Sequence, residues 1–258
     1  MNRILVTGSR GQLGLTLQEF ANRYPKVTFD FKTSEELDIT QSKQVMDTLS
    51  TEEYDYCINC SAYTNVEEAE KNPKEAFLVN AKGVQNLAVA CKENKVNLIH
   101  ISTDYVFDGK KDGGYTVHDK TDPINEYGKS KLAGEKFVRE TLPSHYIIRT
   151  SWLYSKKYGH NFYRSILERA LAGKDLHITD AQLGCPTNTE SLVKYIMDRI
   201  VLGDMPFGTY HFTDGKPMTW YSFAKTILEE NNLVARTNLV LDRNYRTLAK
   251  RPRNSVLL

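Results

Sequence analysis

An α/β fold, a doubly wound parallel sheet followed by a smaller mixed α/β C-terminal region, is what this sequence predicts. Three observations lead there. Arg3-Ile4-Leu5-Val6-Thr7 is a short aliphatic run of the kind that lies buried in a parallel sheet. Gly8-Ser9-Arg10-Gly11-Gln12-Leu13-Gly14 follows at once, and then a helical pattern with Leu13, Leu17 and Phe20 on one face. Strand-like and helix-like segments keep alternating through the first half. Repeated β-α-β units of this length imply right-handed crossovers and ligand sites at the carboxyl ends of the strands.

Taken in order, Lys26 to Phe31 reads as the second strand and Thr40 or Gln41 to Leu49 as a helix. Asp55 to Cys60 is a third strand. Glu75 to Glu93 is a long amphipathic helix with Phe77, Val84, Leu87, Ala88 and Cys91 on one side. Asn97 to Ser102 is a fourth strand, followed by a loop rich in Gly, Asp and Lys (Asp108 to Asp122) that ends at Pro123. Ile124 to Glu140 is the next helix. Residues 1–150 are therefore expected to form a Rossmann-like dinucleotide-binding domain. From about Ser151 the rhythm loosens: helices over Asn161–Ala172, Thr189–Leu202 and Trp220–Glu230, and strands over Leu176–Thr179 and Gly208–Thr213. Residues 151–258 are expected to form the substrate-binding region.

Composition narrows the function classes. At 258 residues the chain can bury a large core, and 40% hydrophobic with 26% charged residues is ordinary for a globular protein. Lys+Arg 34 against Asp+Glu 32 leaves a formal charge of +2, too small to argue for a nucleic-acid partner or an acidic membrane surface. No apolar run approaches bilayer length and the N-terminus enters a strand directly, so a cytoplasmic location is expected. Cys57 and Cys60 have C-x-x-C spacing, but a strand sends residues three apart to opposite faces, which argues against a shared metal. No metal site is expected.

The chemistry-bearing residues fall in three places. In the glycine turn, Gly8 permits a tight turn, Gly11 lets the backbone approach a pyrophosphate, and Gly14 lets helix and strand pack closely. The helix behind it offers free N–H groups to phosphates. In the helix Ile124–Glu140, Tyr127 and Lys131 are four apart and share a face. A free tyrosine has a pKa of about 10, and a lysine charge nearby is expected to bring it toward the working range. The strand ending at Ser102 delivers Thr103, Asp104 and Tyr105 to the carboxyl edge of the sheet. A hydroxyl there, Thr103, can hydrogen-bond a substrate carbonyl.

Glycine turn, hydroxyl, tyrosine and lysine together resemble the extended short-chain dehydrogenase/reductase superfamily. The resemblance is narrower still. Asn59-Cys60-Ser61-Ala62-Tyr63-Thr64-Asn65-Val66-Glu67, Ser102 to Gly109, Asn125 to Glu135 and Arg149-Thr150-Ser151-Trp152 are similar to the blocks of the dTDP-4-dehydrorhamnose reductase family. So are Asn161-Phe162, Gly184-Cys185-Pro186-Thr187 and Arg251-Pro252-Arg253-Asn254-Ser255.

The resemblance implies reduction of the 4-keto group of a dTDP-6-deoxyhexulose by NADPH, with NADH possible, in a monomer or homodimer. Tyr127 would be the general acid, Lys131 would tune it and hold the nicotinamide ribose, and Thr103 would meet the keto oxygen. Coenzyme contacts would come from Gly8, Arg10, Gly11, Gln12, Leu13, Asp38, Ile39, Cys60, Ser61, Ala62, Tyr63 and Asn80. Asp30 could accept from a ribose 2′-OH, whereas Arg10 and Lys32 could meet a 2′-phosphate. The dTDP-sugar would lie among Thr103, Asp104, Tyr105, Tyr127, Trp152, Asn161, Phe162 and Arg251. Sugar-nucleotide 4,6-dehydratases have Thr-Asp-Glu where this chain has Thr103-Asp104-Tyr105, which removes the base for water elimination.

Three departures stand out. Ala181-Gln182 occupies the place of the family's Asp-Gln. Leu15-Thr16-Leu17 lacks the glutamate that helps bind magnesium between subunits. The chain ends at Ser255-Val256-Leu257-Leu258, where exposed apolar residues and a shortened substrate lid are expected. That ending keeps a second class open, a non-catalytic dinucleotide-binding regulatory subunit like the β subunit of methionine adenosyltransferase.

Overall fold

A computed structural model describes residues 1–258. In the first part β1 (Asn2–Thr7), α1 (Gln12–Phe20), β2 (Val27–Phe31), α2 (Ser42–Thr51), β3 (Tyr56–Asn59), α3 (Val66–Lys71), α4 (Pro73–Phe77), α5 (Val84–Glu93), β4 (Asn97–Thr103), α6 (Glu126–Thr141) and β5 (His145–Thr150) follow one another. The remainder adds β6 (Leu153–Tyr154), α7 (Phe162–Leu171), β7 (Leu176–Ile178), β8 (Leu183–Gly184), β9 (Thr187–Asn188), α8 (Thr189–Tyr195), β10 (Gly208–His211), β11 (Met218–Thr219), α9 (Trp220–Glu230) and β12 (Leu239–Leu241).

Six strands form one parallel sheet in the order β10-β5-β4-β3-β1-β2. Strand alternation explains how it is covered on both faces. Leu5, Cys57, Leu98 and Ile147 point to one side and pack with Val45 and Leu49 of α2, Leu87 and Cys91 of α5 and Val138 of α6. Their neighbours Ile4, Val6, Ile58, Ile99 and Ile148 point to the other side, against Leu13, Leu17 and Phe20 of α1 and Leu192, Val193 and Ile196 of α8 and the turn after it. Cys57 thus belongs to one face, and Cys60 packs at the other. The sheet draws its sixth strand, β10, and one covering helix, α8, from beyond residue 150, so the layers cross that point of the chain. A separate cluster joins α7, α9 and β7 around Tyr163, Ile166, Leu176 and Phe223.

Several elements differ from expectation. The helix expected over Glu75–Glu93 starts at Pro73 and carries a π-helical turn over Leu78–Gly83. That turn brings Asn80 inward, where its side chain accepts from the Tyr63 N–H at 2.9 Å and donates to the Tyr63 carbonyl at 2.9 Å and Ser130 Oγ at 3.0 Å. The elements not anticipated include β5, whose run is broken by a buried Arg149, the short α3, and the short strands β6, β8, β9, β11 and β12. At the chain's end Val256 and Leu257 are buried and only Leu258 is exposed. This tail is stitched in by Asn254 N–H to Gly109 O at 3.1 Å, Ser255 N–H to Leu183 O at 2.8 Å and Leu258 N–H to Tyr115 O at 2.8 Å.

Candidate active site

The sheet order places β1 and β3 side by side while α1 and α3 leave in different directions, and the cleft opens at that divergence, above the carboxyl ends of β1, β3, β4 and β5. It encloses about 630 Å³, and its wall includes Arg10, Gly11, Gln12, Leu13, Cys60, Ser61, Ala62, Thr103, Asp104, Tyr105, Tyr127, Lys131, Trp152 and Arg251. A second cavity of about 300 Å³ adjoins it, sharing Trp220 and Arg251, with Phe162, Arg169, His177 and Tyr245 on its wall.

At the glycine turn, Gly8 has φ +64°, and a Cβ there would lie 2.7 Å from Ser61 N and 2.8 Å from the Cys60 carbonyl carbon. Only glycine meets both demands. The turn leads to Gly11 as the N-cap of α1, with no side-chain cap and no acidic residue in the first turn, leaving the first N–H groups toward the cleft. Asn59 holds the opposite lip: its Oδ1 accepts from Thr7 Oγ1 at 2.8 Å and Ser61 N–H at 3.0 Å, and its Nδ2 is 3.0 Å from His100 Nδ1. Ser61 Oγ and Thr150 Oγ1, both on the cleft wall, are buried without partners. Orphaned hydroxyls, an uncapped helix start and a glycine cradle together fit a dinucleotide. Gly8→Ala is expected to weaken dinucleotide binding by about tenfold or more through strain and displacement of the Ser61 loop, measured by coenzyme fluorescence titration.

The reactive group is carried by α6. Asn125 caps it, accepting from the Gly128 N–H at 2.7 Å, and Gly128 lets the helix approach so closely that a Cβ would lie 2.2 Å from the Tyr105 carbonyl oxygen. Tyr127 and Lys131 then face the cleft together. Lys131 is buried, and its ammonium donates to the Ile101 carbonyl at 2.7 Å. Burial brings its pKa down to about 8, with Glu135 opposing. Lys131 was expected to lower the Tyr127 pKa, but the opposite shift is found. Burial pushes that phenol above its ordinary value, with Asp104 and Tyr105 adding and the hydrogen bond to Thr103 opposing, while Lys131 donates to the Ile101 carbonyl. The phenol is therefore held in its protonated form.

Thr103 Oγ1 donates to Asp104 Oδ1 at 3.0 Å and accepts from the Tyr105 N–H at 3.2 Å. Asp104 also accepts from Ser151 Oγ at 3.0 Å, yet burial raises its pKa to about 6. Since the unfolded value is 3.8, the folded chain holds a proton here that the unfolded chain releases. The associated stability is fully present below the unfolded value and is lost as pH rises through the folded one. Asp104→Asn is expected to remove that slope, so its stability relative to the parent is greater at neutral pH than at acid pH. Urea titrations at both pH values measure it.

Not every expected residue reaches the cleft. Asn161 is the N-cap of α7: Oδ1 accepts from the Arg164 N–H at 3.1 Å, and Nδ2 donates to Gln12 Oε1, Ser155 O and Tyr158 O at 3.0–3.1 Å. Its hydrogen-bonding capacity is spent within the protein. Phe162 lines the second cavity instead of the first. Asp38 closes a turn by accepting from Thr40, and neither it nor Ile39, Tyr63 or Asn80 lies on the cleft wall. Asp30 and Lys32 are away from the wall too, and they pair with each other at 3.1 Å while Tyr54 donates to Asp30 at 2.5 Å. Arg10 stands at the rim, paired with Glu35 at 2.7 Å and largely exposed.

Trp220 went unnoticed in the sequence. It stacks on Trp152 with ring centroids 3.5 Å apart and an interplanar angle of 7°. Trp152 has φ +47°, a left-handed conformation that costs a bulky residue energy and that the stack helps hold. The signal available was its place at the start of a capped amphipathic helix, which is too common to single out.

Residues 1–258 match the family model described as the RmlD substrate binding domain. The chain is 38% identical over 270 residues to a dTDP-4-dehydrorhamnose reductase of Aggregatibacter actinomycetemcomitans, covering 100% of this chain and 90% of that one. It is 36% identical over 265 residues to the dTDP-4-dehydrorhamnose reductase of Escherichia coli K12, covering 98% and 88%. Among solved structures, the dTDP-4-dehydrorhamnose reductase from Bacillus anthracis in complex with NADP superposes with a TM-score of 0.94 at 35% identity, covering 100% of this chain and 91% of that one.

Proposed function

This chain belongs to the dTDP-4-dehydrorhamnose reductase family, and from that premise we propose how its cleft works. The protein is an NADPH-dependent oxidoreductase of dTDP-rhamnose biosynthesis, reducing the 4-keto group of dTDP-4-dehydro-L-rhamnose to give dTDP-L-rhamnose. One observation carries the reading: Thr103, Tyr127 and Lys131 line the same cleft onto which the glycine turn and the uncapped α1 open.

The bound nicotinamide supplies a hydride to the carbonyl carbon. Everything else falls to the chain. Gly8, Gly11, Gln12 and Leu13 receive the pyrophosphate, and the Ser61 and Thr150 hydroxyls, unpartnered in the protein, take up coenzyme polar groups. At the adenosine end, Lys32 already neutralises Asp30, which relieves the repulsion that a lone carboxylate would exert on a 2′-phosphate, and Arg10 stands at the rim. That supports NADPH over NADH.

The Thr103 hydrogen turns from Asp104 to the keto oxygen and holds the carbonyl beside the coenzyme. As negative charge develops on that oxygen, Tyr127 donates its proton. A phenol kept protonated by burial is in the right state for reduction. The Lys131 ammonium then stabilises the phenolate left behind, and a pKa of about 8 suits it to proton return at neutral pH. The nucleotide half extends into the second cavity, where Phe162 and Trp220 offer aromatic faces and Arg251 a guanidinium for the diphosphate.

Purified protein given NADPH and dTDP-4-dehydro-L-rhamnose is expected to consume the coenzyme and release dTDP-L-rhamnose in equal amounts. Coenzyme binding without turnover would overturn the reading in favour of a regulatory subunit.

A further inference from the structure

Residues Asp242 to Arg253 cross the molecule as a strap that forms part of the wall of both cavities through Tyr245, Thr247 and Arg251. Its ends are fixed to the C-terminal region by Asp242 N–H to Ile178 O at 2.9 Å and Leu183 N–H to Arg253 O at 2.8 Å. Its middle is held from the other side of the cleft. Glu67, in the first turn of α3, accepts the Leu248 and Ala249 N–H groups on Oε2 at 2.8 and 3.2 Å, and Arg251 Nη2 on Oε1 at 2.6 Å. Asn125 Nδ2 adds a bond to the Lys250 carbonyl at 2.8 Å. One carboxylate thus takes three donors from four consecutive strap residues.

The arrangement reaches further through Arg251. Its other terminal nitrogen donates to the Tyr105 hydroxyl at 3.2 Å, and the Tyr105 ring meets the Tyr127 ring edge-on at 5.9 Å. Arg251 Nε is buried without a partner, so the guanidinium keeps a donor in reserve where the two cavities meet. Neighbouring Val66 lines the cleft, while Glu67 itself touches neither cavity.

We propose that Glu67 is a positioning residue: it latches the strap across the cleft and aims Arg251 at the substrate diphosphate, without contacting substrate or coenzyme. The inference rests on the reductase reading above. A charge-assisted network spanning two halves of a site stabilises the closed wall and pre-orients a binding group. Its loss therefore acts on substrate affinity and leaves the chemical step and the coenzyme subsite alone.

Two variants separate the charge from the backbone bonds. Glu67→Gln keeps a carbonyl oxygen for the Leu248 and Ala249 N–H groups but loses the ion pair, and is expected to raise KM for the dTDP-sugar about tenfold. Glu67→Ala loses all three bonds and is expected to raise KM further. In both, kcat and the NADPH dissociation constant stay within about twofold, and dTDP binding measured by calorimetry weakens in parallel with KM. Amide hydrogen exchange at residues 248–251, read without substrate, is expected to quicken in Glu67→Ala and to hold in Glu67→Gln. An unchanged KM in Glu67→Ala would overturn the latch, and so would kcat, NADPH affinity and melting temperature falling together in Glu67→Gln. Should the parent protein show no turnover, the reductase reading fails by that result alone. The exchange and dTDP measurements still decide the latch.

Discussion

Replacing Tyr127 with phenylalanine is expected to lower kcat by about two to four orders of magnitude while NADPH binding persists, because the ring remains and only the proposed transferable proton is lost. The magnitude follows from the site's composition. On the proposed mechanism two hydroxyl donors, Thr103 and Tyr127, meet the keto oxygen, and the proton of Thr103 is engaged by Asp104 at 3.0 Å in the free protein. Asp104 is itself buried and carries no cationic partner. The Tyr127 phenol has Lys131 four residues along the same helix face to receive its charge afterwards. Steady-state kinetics with coenzyme titration on the variant measures both quantities. A kcat within about threefold of the parent would remove Tyr127 from the proton-donating role.

Glu135→Ala is the substitution expected to cost the most stability. The Glu135 side chain is fully buried on the face of α6 that packs on the sheet. Its carboxylate receives Ser102 Oγ at 2.6 Å, Arg149 Nε at 2.9 Å, Arg149 Nη2 at 2.7 Å and Arg139 Nη1 at 3.0 Å. Removing it strands the buried Arg149 guanidinium, whose Nη1 has no partner even now, and a loss of about 3–5 kcal/mol is expected. Arg139 is more exposed, so Arg139→Ala should cost less than about 1 kcal/mol. Urea unfolding of both variants reads the difference, and similar small losses would refute the account. The double change Glu135→Leu with Arg149→Met should recover much of the stability, since replacing a buried pair avoids the uncompensated charge. Function is affected too. Glu135 raises the Lys131 pKa against burial, so its loss leaves the ammonium less protonated at neutral pH.

These two residues show what sequence reading captures and what it misses. The Tyr127/Lys131 pair and the Gly8–Gly14 turn are legible because their geometry is local: a helical spacing and a strand-turn-helix junction fix the directions without knowledge of distant partners. The parallel sheet is legible for the same reason, from alternating runs. Arg149 conceals β5 because an arginine in a strand looks solvent-facing until its partner Glu135, fourteen residues earlier, is known to be buried with it. Asn161 looked like a sugar contact, but Gln12 lies 149 positions away in sequence and takes its amide. The apolar ending at Leu258 looked exposed, yet Tyr115 and Leu183 hold it down through contacts that no local pattern reveals. The Tyr127 phenol was expected to titrate low beside its lysine, but burial by distant residues raises it. In each case the missed information is long-range pairing.

The central claim is that this cleft delivers a hydride to C4 of a dTDP-ketosugar and a proton to its oxygen. NADPH deuterated at the transferring position of the nicotinamide, given with dTDP-4-dehydro-L-rhamnose, tests it in one product analysis. The account predicts deuterium at C4 of dTDP-L-rhamnose, one label per coenzyme consumed. Unlabelled product, or label at any other carbon, would contradict it.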